Sequence, residues 1–151
     1  MKKLLLATAI CAVSFSAQAH RVWVQSEPVK AGEILKADIG YGEFPTLEPI
    51  AEKRLHFFDK GMVLVNTEGK QNLVQKGENY HYESTKPVKA GSYVLAAEYK
   101  PTFWSQNAEG WKQADMQNTP NATYCERTAM YGKNIVNMGK AAEKNDVAEV
   151  V

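Results

Sequence analysis

The sequence predicts an all-β protein, an immunoglobulin-like antiparallel β-sandwich preceded by a cleavable signal peptide. Two observations carry this prediction. After residue 20, apolar and polar residues mostly alternate with a period of two, as strands with one buried face require. Turn residues separate about seven or eight such segments at intervals of roughly 8–12 residues, which is typical of a sandwich. The first 19 residues follow neither pattern.

The N-terminal segment has the three parts of a secretory signal peptide. Lys2 and Lys3 form a positive region, LLLATAICAVSF is apolar, and AQA offers small residues before a cut after Ala19. The apolar run of about 12 residues is shorter than the ~20 that a membrane span needs, although an uncleaved anchor is the alternative. We therefore expect residues 1–19 to be removed, leaving a periplasmic chain that begins at His20 and has no membrane span.

The rest of the chain is expected to form one domain, residues 20–139, followed by a polar tail, residues 140–151. The whole sequence carries 18 Lys+Arg against 17 Asp+Glu with no basic block, so nucleic-acid binding has no electrostatic support. Cleavage leaves one cysteine, Cys125, which cannot pair within the chain. We expect it to be a buried inert thiol, a metal ligand or a link to another chain.

Each predicted strand rests on alternation bounded by turn residues. In RVWVQ, Val22 and Val24 share one face and Trp23 lies on the other; ILKADIGYG continues the pattern. EFPTLEPIAEKR holds two prolines and no alternation, so it is predicted as a loop. Further strands are expected on both sides of DKG, on both sides of KGEN, from Ser92 to Lys100, and in TYCERTAMYGKNIVNMG with a bulge or bend at Gly132. No internal helix is predicted.

The segment from Pro101 to Thr123 interrupts the alternation and is predicted as an ordered loop. It combines three large aromatic residues with many Asn, Gln and Gly residues, whereas disordered segments are poor in aromatics. These aromatic residues either close one end of the sandwich or line a ligand site. The candidates for such a ligand wall are Trp23, Tyr99, Trp104 and Trp111.

Cleavage after Ala19 would give His20 two metal-binding nitrogens, its α-amine and imidazole Nδ1. After losing their protons, both can bind one ion in a six-membered chelate ring. Nitrogen ligands suit Ni²⁺, Co²⁺, Cu²⁺ and Zn²⁺ rather than Ca²⁺ or Mg²⁺. His81 is the preferred additional ligand because it shares a strand face with Glu83, whereas His56 stands beside a cationic neighbour, Arg54. The predicted metal ligands are therefore His20 and His81.

No catalytic residues are predicted, since the sequence contains no GxSxG elbow, Gly-rich phosphate loop or HExxH motif. A copper-dependent oxidative enzyme is the enzymatic alternative, and it would need a second histidine beside His20.

Several segments together resemble a Gram-negative periplasmic family: AHRVWVQ, IGYGEFP, GENYHYES, AGSYVLAAEYKPTFWS, GWKQ and YCERTAMYGKNIVNMG. The family is catalogued mainly as a domain of unknown function and often labelled a periplasmic component of nickel or cobalt uptake. The resemblance covers roughly residues 19–139. It implies an exported β-sandwich with a histidine at the processed N-terminus, near a membrane metal transporter. The matching motifs carry the role implied by the family to His20 and Trp23, and more loosely to Tyr99, Trp104 and Tyr131.

Members of that family continue past NIVNMG into a further β-rich half, where this chain has KAAEKNDVAEVV instead. We therefore interpret the tail as a truncated second half. We predict a non-enzymatic periplasmic protein that binds a transition metal ion, Ni, Co or Cu, and assists metal uptake or homeostasis. The alternative is a carbohydrate- or protein-binding sandwich that uses the Trp-rich loop without metal.

Overall fold

A computed structural model of the protein describes residues 20–138. Within that range the chain forms two antiparallel sheets and one short 3₁₀ helix, which confirms the predicted all-β sandwich. The signal peptide and the tail lie outside the described residues. The strands are β1 (Arg21–Ser26), β2 (Lys36–Gly42), β3 (Met62–Asn66), β4 (Gly69–Asn72), β5 (Val74–Gln75), β6 (His81–Glu83), β7 (Gly91–Asn107), β8 (Gly110–Lys112) and β9 (Tyr124–Met138); the 3₁₀ helix is Glu52–Phe58.

The first sheet has the strand order β1-β2-β6-β5 and the second is built around the long strand β7. β9 pairs with β7 along most of its length. On its other edge, β7 pairs with β3 through residues 94–97 and with β8 through residues 105–107. At one end of the second sheet, β8, β7 and β9 lie side by side and form a three-stranded extension.

The core lies between the two sheets and follows the predicted alternation. Leu35, Ala37 and Ile39 are almost completely buried, as their shared face predicts. The second sheet contributes the opposite wall, including Leu64, Leu95 and Met138, all at most 2% exposed. Burying side chains of this size is the main stabilising contribution to such a sandwich.

The 3₁₀ helix corrects two predictions, the absence of an internal helix and a strand just before DKG. Phe57 and Phe58 are neighbours in sequence and both are buried, at 2% and 5% exposure. Consecutive residues of a strand point to opposite faces, so a strand could bury only one of them in this core. The last turn of the 3₁₀ helix brings both rings to the core instead.

The predicted loop from Pro101 to Thr123 is wrong for its first half. β7 runs on to Asn107 and turns back into β8, leaving residues 113–123 outside the strands. Proline lacks the N–H that a strand ladder needs, but a bulge between Tyr99 and Thr102 accommodates Pro101. The hairpin then closes at Gly110, whose φ of 113° favours glycine.

The predicted bulge or bend at Gly132 is also wrong, because the pairing of β7 and β9 is regular there, with Ala97 opposite Gly132. Gly132 serves another purpose. An added Cβ would lie 2.8 Å from the carbonyl carbon and 2.9 Å from the Cα of Trp23. The glycine therefore allows β9 of one sheet to approach the backbone of β1 in the other.

Candidate metal and ligand site

His20 stands immediately before β1, with its side chain exposed. Its imidazole stacks on Tyr41, with ring centroids 5.2 Å apart and an interplanar angle of 26°. Tyr41 is the partner of Val22 in the β1–β2 ladder, and both belong to the face that looks into the sandwich. His20 therefore covers the end of the core where β1 begins and β2 ends.

Beneath His20 lies a group of packed rings, which we call the end cluster: Tyr41, Phe57, Phe58, Tyr99 and Trp104. Tyr41 stacks on Tyr99 at 5.7 Å, and Tyr99 stacks on Phe57 at 4.5 Å. Trp104 contacts Phe57 with ring centroids 6.2 Å apart. Tyr99, a ligand-wall candidate, is only 1% exposed, so in this structure it is a core residue.

Arg54 of the 3₁₀ helix reaches the same group of rings. Its Nη1 donates a hydrogen bond of 2.9 Å to the hydroxyl oxygen of Tyr41, and its side chain is only half-buried. Burial raises the pKa of Tyr41 and of Tyr99. This effect is larger than the lowering of both pKa values by the charge of Arg54. Both phenols are therefore neutral near neutral pH, and neither neutralises the guanidinium.

His81 lies in β6 with its side chain on the outer face of the first sheet, since its neighbour Tyr82 is buried in the core. Its Nδ1 is 2.7 Å from Asp38 Oδ1 and its Nε2 is 3.6 Å from Glu83 Oε1. Asp38 is the direct partner of His81 in the β2–β6 ladder. The imidazole thus sits between two carboxylates.

The structure does not bring the two predicted metal ligands together. His20 lies on the inner face at the Gly42 end of β2, whereas His81 lies on the outer face opposite Asp38. About four residues of β2 separate these levels, a distance of roughly 13 Å at the rise of a strand. A single ion cannot be bound by both side chains in this arrangement.

The other candidate ligands are equally scattered. The exposed His56 packs on Phe57 with ring centroids 3.9 Å apart, and its Nε2 is 3.4 Å from the side-chain nitrogen of Gln113. Cys125 is a free, partly exposed thiol on β9 opposite Ser105. Among residues 20–138, no three His, Cys, Asp or Glu side chains are grouped so that they could hold a metal ion. An ion at His20 would need its further ligands from elsewhere.

The remaining ligand-wall candidates occupy separate surfaces. Trp23 packs its indole over Gly40 on the outer face of the first sheet, edge-to-face with Phe44 at 5.5 Å. Its buried Nε1–H has no hydrogen-bond partner within the described part of the chain. Trp111 is 51% exposed and meets Tyr124 edge-to-face at 5.7 Å.

Trp111 and Tyr124 flank the same residue of β7, Gln106, and so share one face of the three-stranded extension. Trp104 lies two residues before Gln106 on that face. The extension therefore presents one exposed aromatic pair, continuous with the end cluster.

Sequence reasoning missed Tyr41 and the position of Arg54. Tyr41 continues the alternation of Leu35, Ala37 and Ile39, so that pattern could have placed it at the inner end of β2. Arg54 carried no comparable signal, because it belongs to the unpredicted 3₁₀ helix and lies 13 residues after Tyr41, outside any strand alternation.

Comparison with known proteins adds a family but no activity. No helix within residues 20–138 is long and apolar enough to cross a membrane. Neither the curated proteins nor the solved structures include a match to this sequence. A protein-family comparison matches residues 17–151 to the family described as Domain of unknown function (DUF4198). Since this match spans most of the chain, the protein belongs to the DUF4198 family.

Proposed function

We propose that the processed chain is a periplasmic binding protein that holds a transition-metal ion through the α-amine and the imidazole of His20. The position of His20 is the observation that carries this proposal. Its ring is exposed, so an ion can reach it, yet stacking on Tyr41 limits its motion. The proposal depends on cleavage after Ala19, which would free the amine. Ni²⁺, Co²⁺ and Cu²⁺ are the ions that such ligands favour.

The bound ion is better regarded as cargo than as a structural component. Two protein nitrogens leave coordination positions open, and the side chains of residues 20–138 offer no grouped set to fill them. An incompletely coordinated ion can be passed on by ligand exchange to a partner that supplies the missing ligands. We accordingly propose a membrane metal transporter as the recipient, with a role in uptake or homeostasis.

Substitution of His20 tests the proposal. Mass spectrometry of the exported protein should identify His20 as its first residue. In calorimetry with Ni²⁺ and Cu²⁺, His20→Ala should weaken binding by at least about tenfold, because a chelate loses one of its two ligands. His81→Ala is the matched control and should bind as the parent does. Undiminished affinity in His20→Ala, or an equal loss in His81→Ala, would refute the proposal.

A second candidate function is saccharide binding on the three-stranded extension. The aromatic pair of Trp111 and Tyr124 favours it, because exposed aromatic faces next to an amide such as Gln106 suit the mixed apolar and polar surface of a sugar. Trp111→Ala should then abolish the change in tryptophan fluorescence caused by a neutral oligosaccharide. Phe103→Ala removes a similarly exposed ring on the opposite face of β7 and should leave this fluorescence change in place. A response to Ni²⁺ but to no oligosaccharide contradicts this candidate.

A further inference from the structure

Arg54 carries a positive charge that no carboxylate of the described residues pairs with. The side chain of Arg54 is half-buried, and burying a charge costs less free energy when an anion is paired with it. Tyr41 accepts one N–H of the guanidinium through its hydroxyl oxygen, at 2.9 Å. The planar guanidinium of arginine has five N–H donors and can bind a carboxylate through two parallel hydrogen bonds. The site is therefore suited to an anion brought from outside this part of the chain.

This unpaired charge lies next to the proposed metal site. The imidazole centroid of His20 is 5.2 Å from the Tyr41 ring centroid, and Arg54 Cζ is 5.5 Å from the same point. Tyr41 is thus the common neighbour of the metal-binding residue and the cation. The two groups are thus separated by no more than the sum of these two distances, which a metal ion carrying a small chelating ligand can span.

We infer that the site takes its metal ion as a complex with a small organic carboxylate, which His20 binds through the metal and Arg54 binds through a carboxylate oxygen. This inference rests on the proposed function. The carboxylate fills coordination positions that His20 leaves open and supplies the negative charge that Arg54 lacks. Carboxylates bound to a metal keep an outer oxygen that can accept hydrogen bonds from arginine.

Two nickel complexes of matched geometry separate this recognition from metal binding alone. Nitrilotriacetate fills all but two adjacent positions of Ni²⁺ with one amine and its carboxylates. Tris(2-aminoethyl)amine leaves the same two positions open but has only amine ligands. A chelating His20 can complete either complex, whereas only the first offers a carboxylate to Arg54.

Calorimetry of the processed chain with each complex, and with Ni²⁺ alone, provides the test. Arg54→Gln should weaken binding of the nitrilotriacetate complex by about tenfold, the range expected for a charge-assisted hydrogen-bonded pair. It should leave the amine complex and free Ni²⁺ within about threefold, which also shows that the variant is folded. Arg54→Lys keeps the positive charge but lacks the planar guanidinium, so it should retain only part of the parent's affinity for the nitrilotriacetate complex. Arg127 is an exposed arginine of β9, and Arg127→Gln is the control. It should not change the affinity for either complex.

Each other outcome overturns the inference in a recognisable way. If Arg54→Gln weakens the binding of both complexes equally, Arg54 maintains the structure of the site and does not recognise a carboxylate. If it weakens neither, the carboxylate is not recognised, although metal binding by His20 stands. If the parent chain binds neither complex and no free Ni²⁺, the proposed function fails together with the inference.

Discussion

Gly132→Val is expected to lower the free energy of unfolding by about 3 kcal/mol or more, at the upper end of what overpacking costs. Even a methyl group at this position would lie 2.8 Å from the carbonyl carbon of Trp23. The obstacle is backbone rather than a flexible side chain, and Trp23 is held in the β1–β2 ladder opposite Gly40. To make room, β1 must move away from β9 and open the sandwich along this edge.

Equilibrium denaturation by urea, followed by tryptophan fluorescence and circular dichroism, measures the effect. Lys133→Ala provides a neighbouring control, because Lys133 is exposed on the other face of β9 and its truncation should cost no more than about 0.5 kcal/mol. A Gly132→Val protein with the parent's unfolding midpoint would show that the backbones of β1 and β9 are not in close contact at this position.

Insertion of one alanine between the processing site and His20 is expected to lower Ni²⁺ affinity at least about tenfold near neutral pH. The imidazole and its stacking on Tyr41 are retained, but the histidine nitrogen becomes a peptide N–H that keeps its proton. The new α-amine lies several bonds further from the imidazole, so the six-membered ring with Nδ1 is lost.

Calorimetry of the inserted and parent chains, both checked by mass spectrometry for their first residue, measures this change. Thermal unfolding should be the same for both, because the inserted residue precedes an exposed side chain. Equal Ni²⁺ affinities would contradict chelation by the α-amine and Nδ1 of His20.

The alternation of apolar residues was sufficient to predict the sandwich and much of its core. Leu35, Ala37 and Ile39 are buried as expected, and Val24 with them. Prediction failed where neighbouring strands determine the outcome. Pro101 normally ends a strand, and only the pairing of β7 with β9 shows that a bulge carries the strand past it.

The candidate site was less predictable than the fold, because it depends on long-range pairing. Alternation placed His81 on the face opposite Tyr82, but its partner Asp38 is known only from the β2–β6 register. Because His20 stacks on Tyr41 and His81 pairs with Asp38, the two histidines lie on opposite faces of the first sheet. The contact of Arg54 with Tyr41 likewise depends on how a short helix packs on the core, which no local pattern specifies.

Electron paramagnetic resonance of the Cu²⁺-loaded, processed chain tests the central claim most directly. The sequence contains three histidines, so a His56→Asn, His81→Gln variant grown with ¹⁵N-histidine carries the label at His20 alone. We predict strong hyperfine coupling of Cu²⁺ to two directly bound ¹⁵N nuclei, the α-amine and the imidazole Nδ1 of His20. Strong coupling to one labelled nitrogen or to none would contradict this prediction.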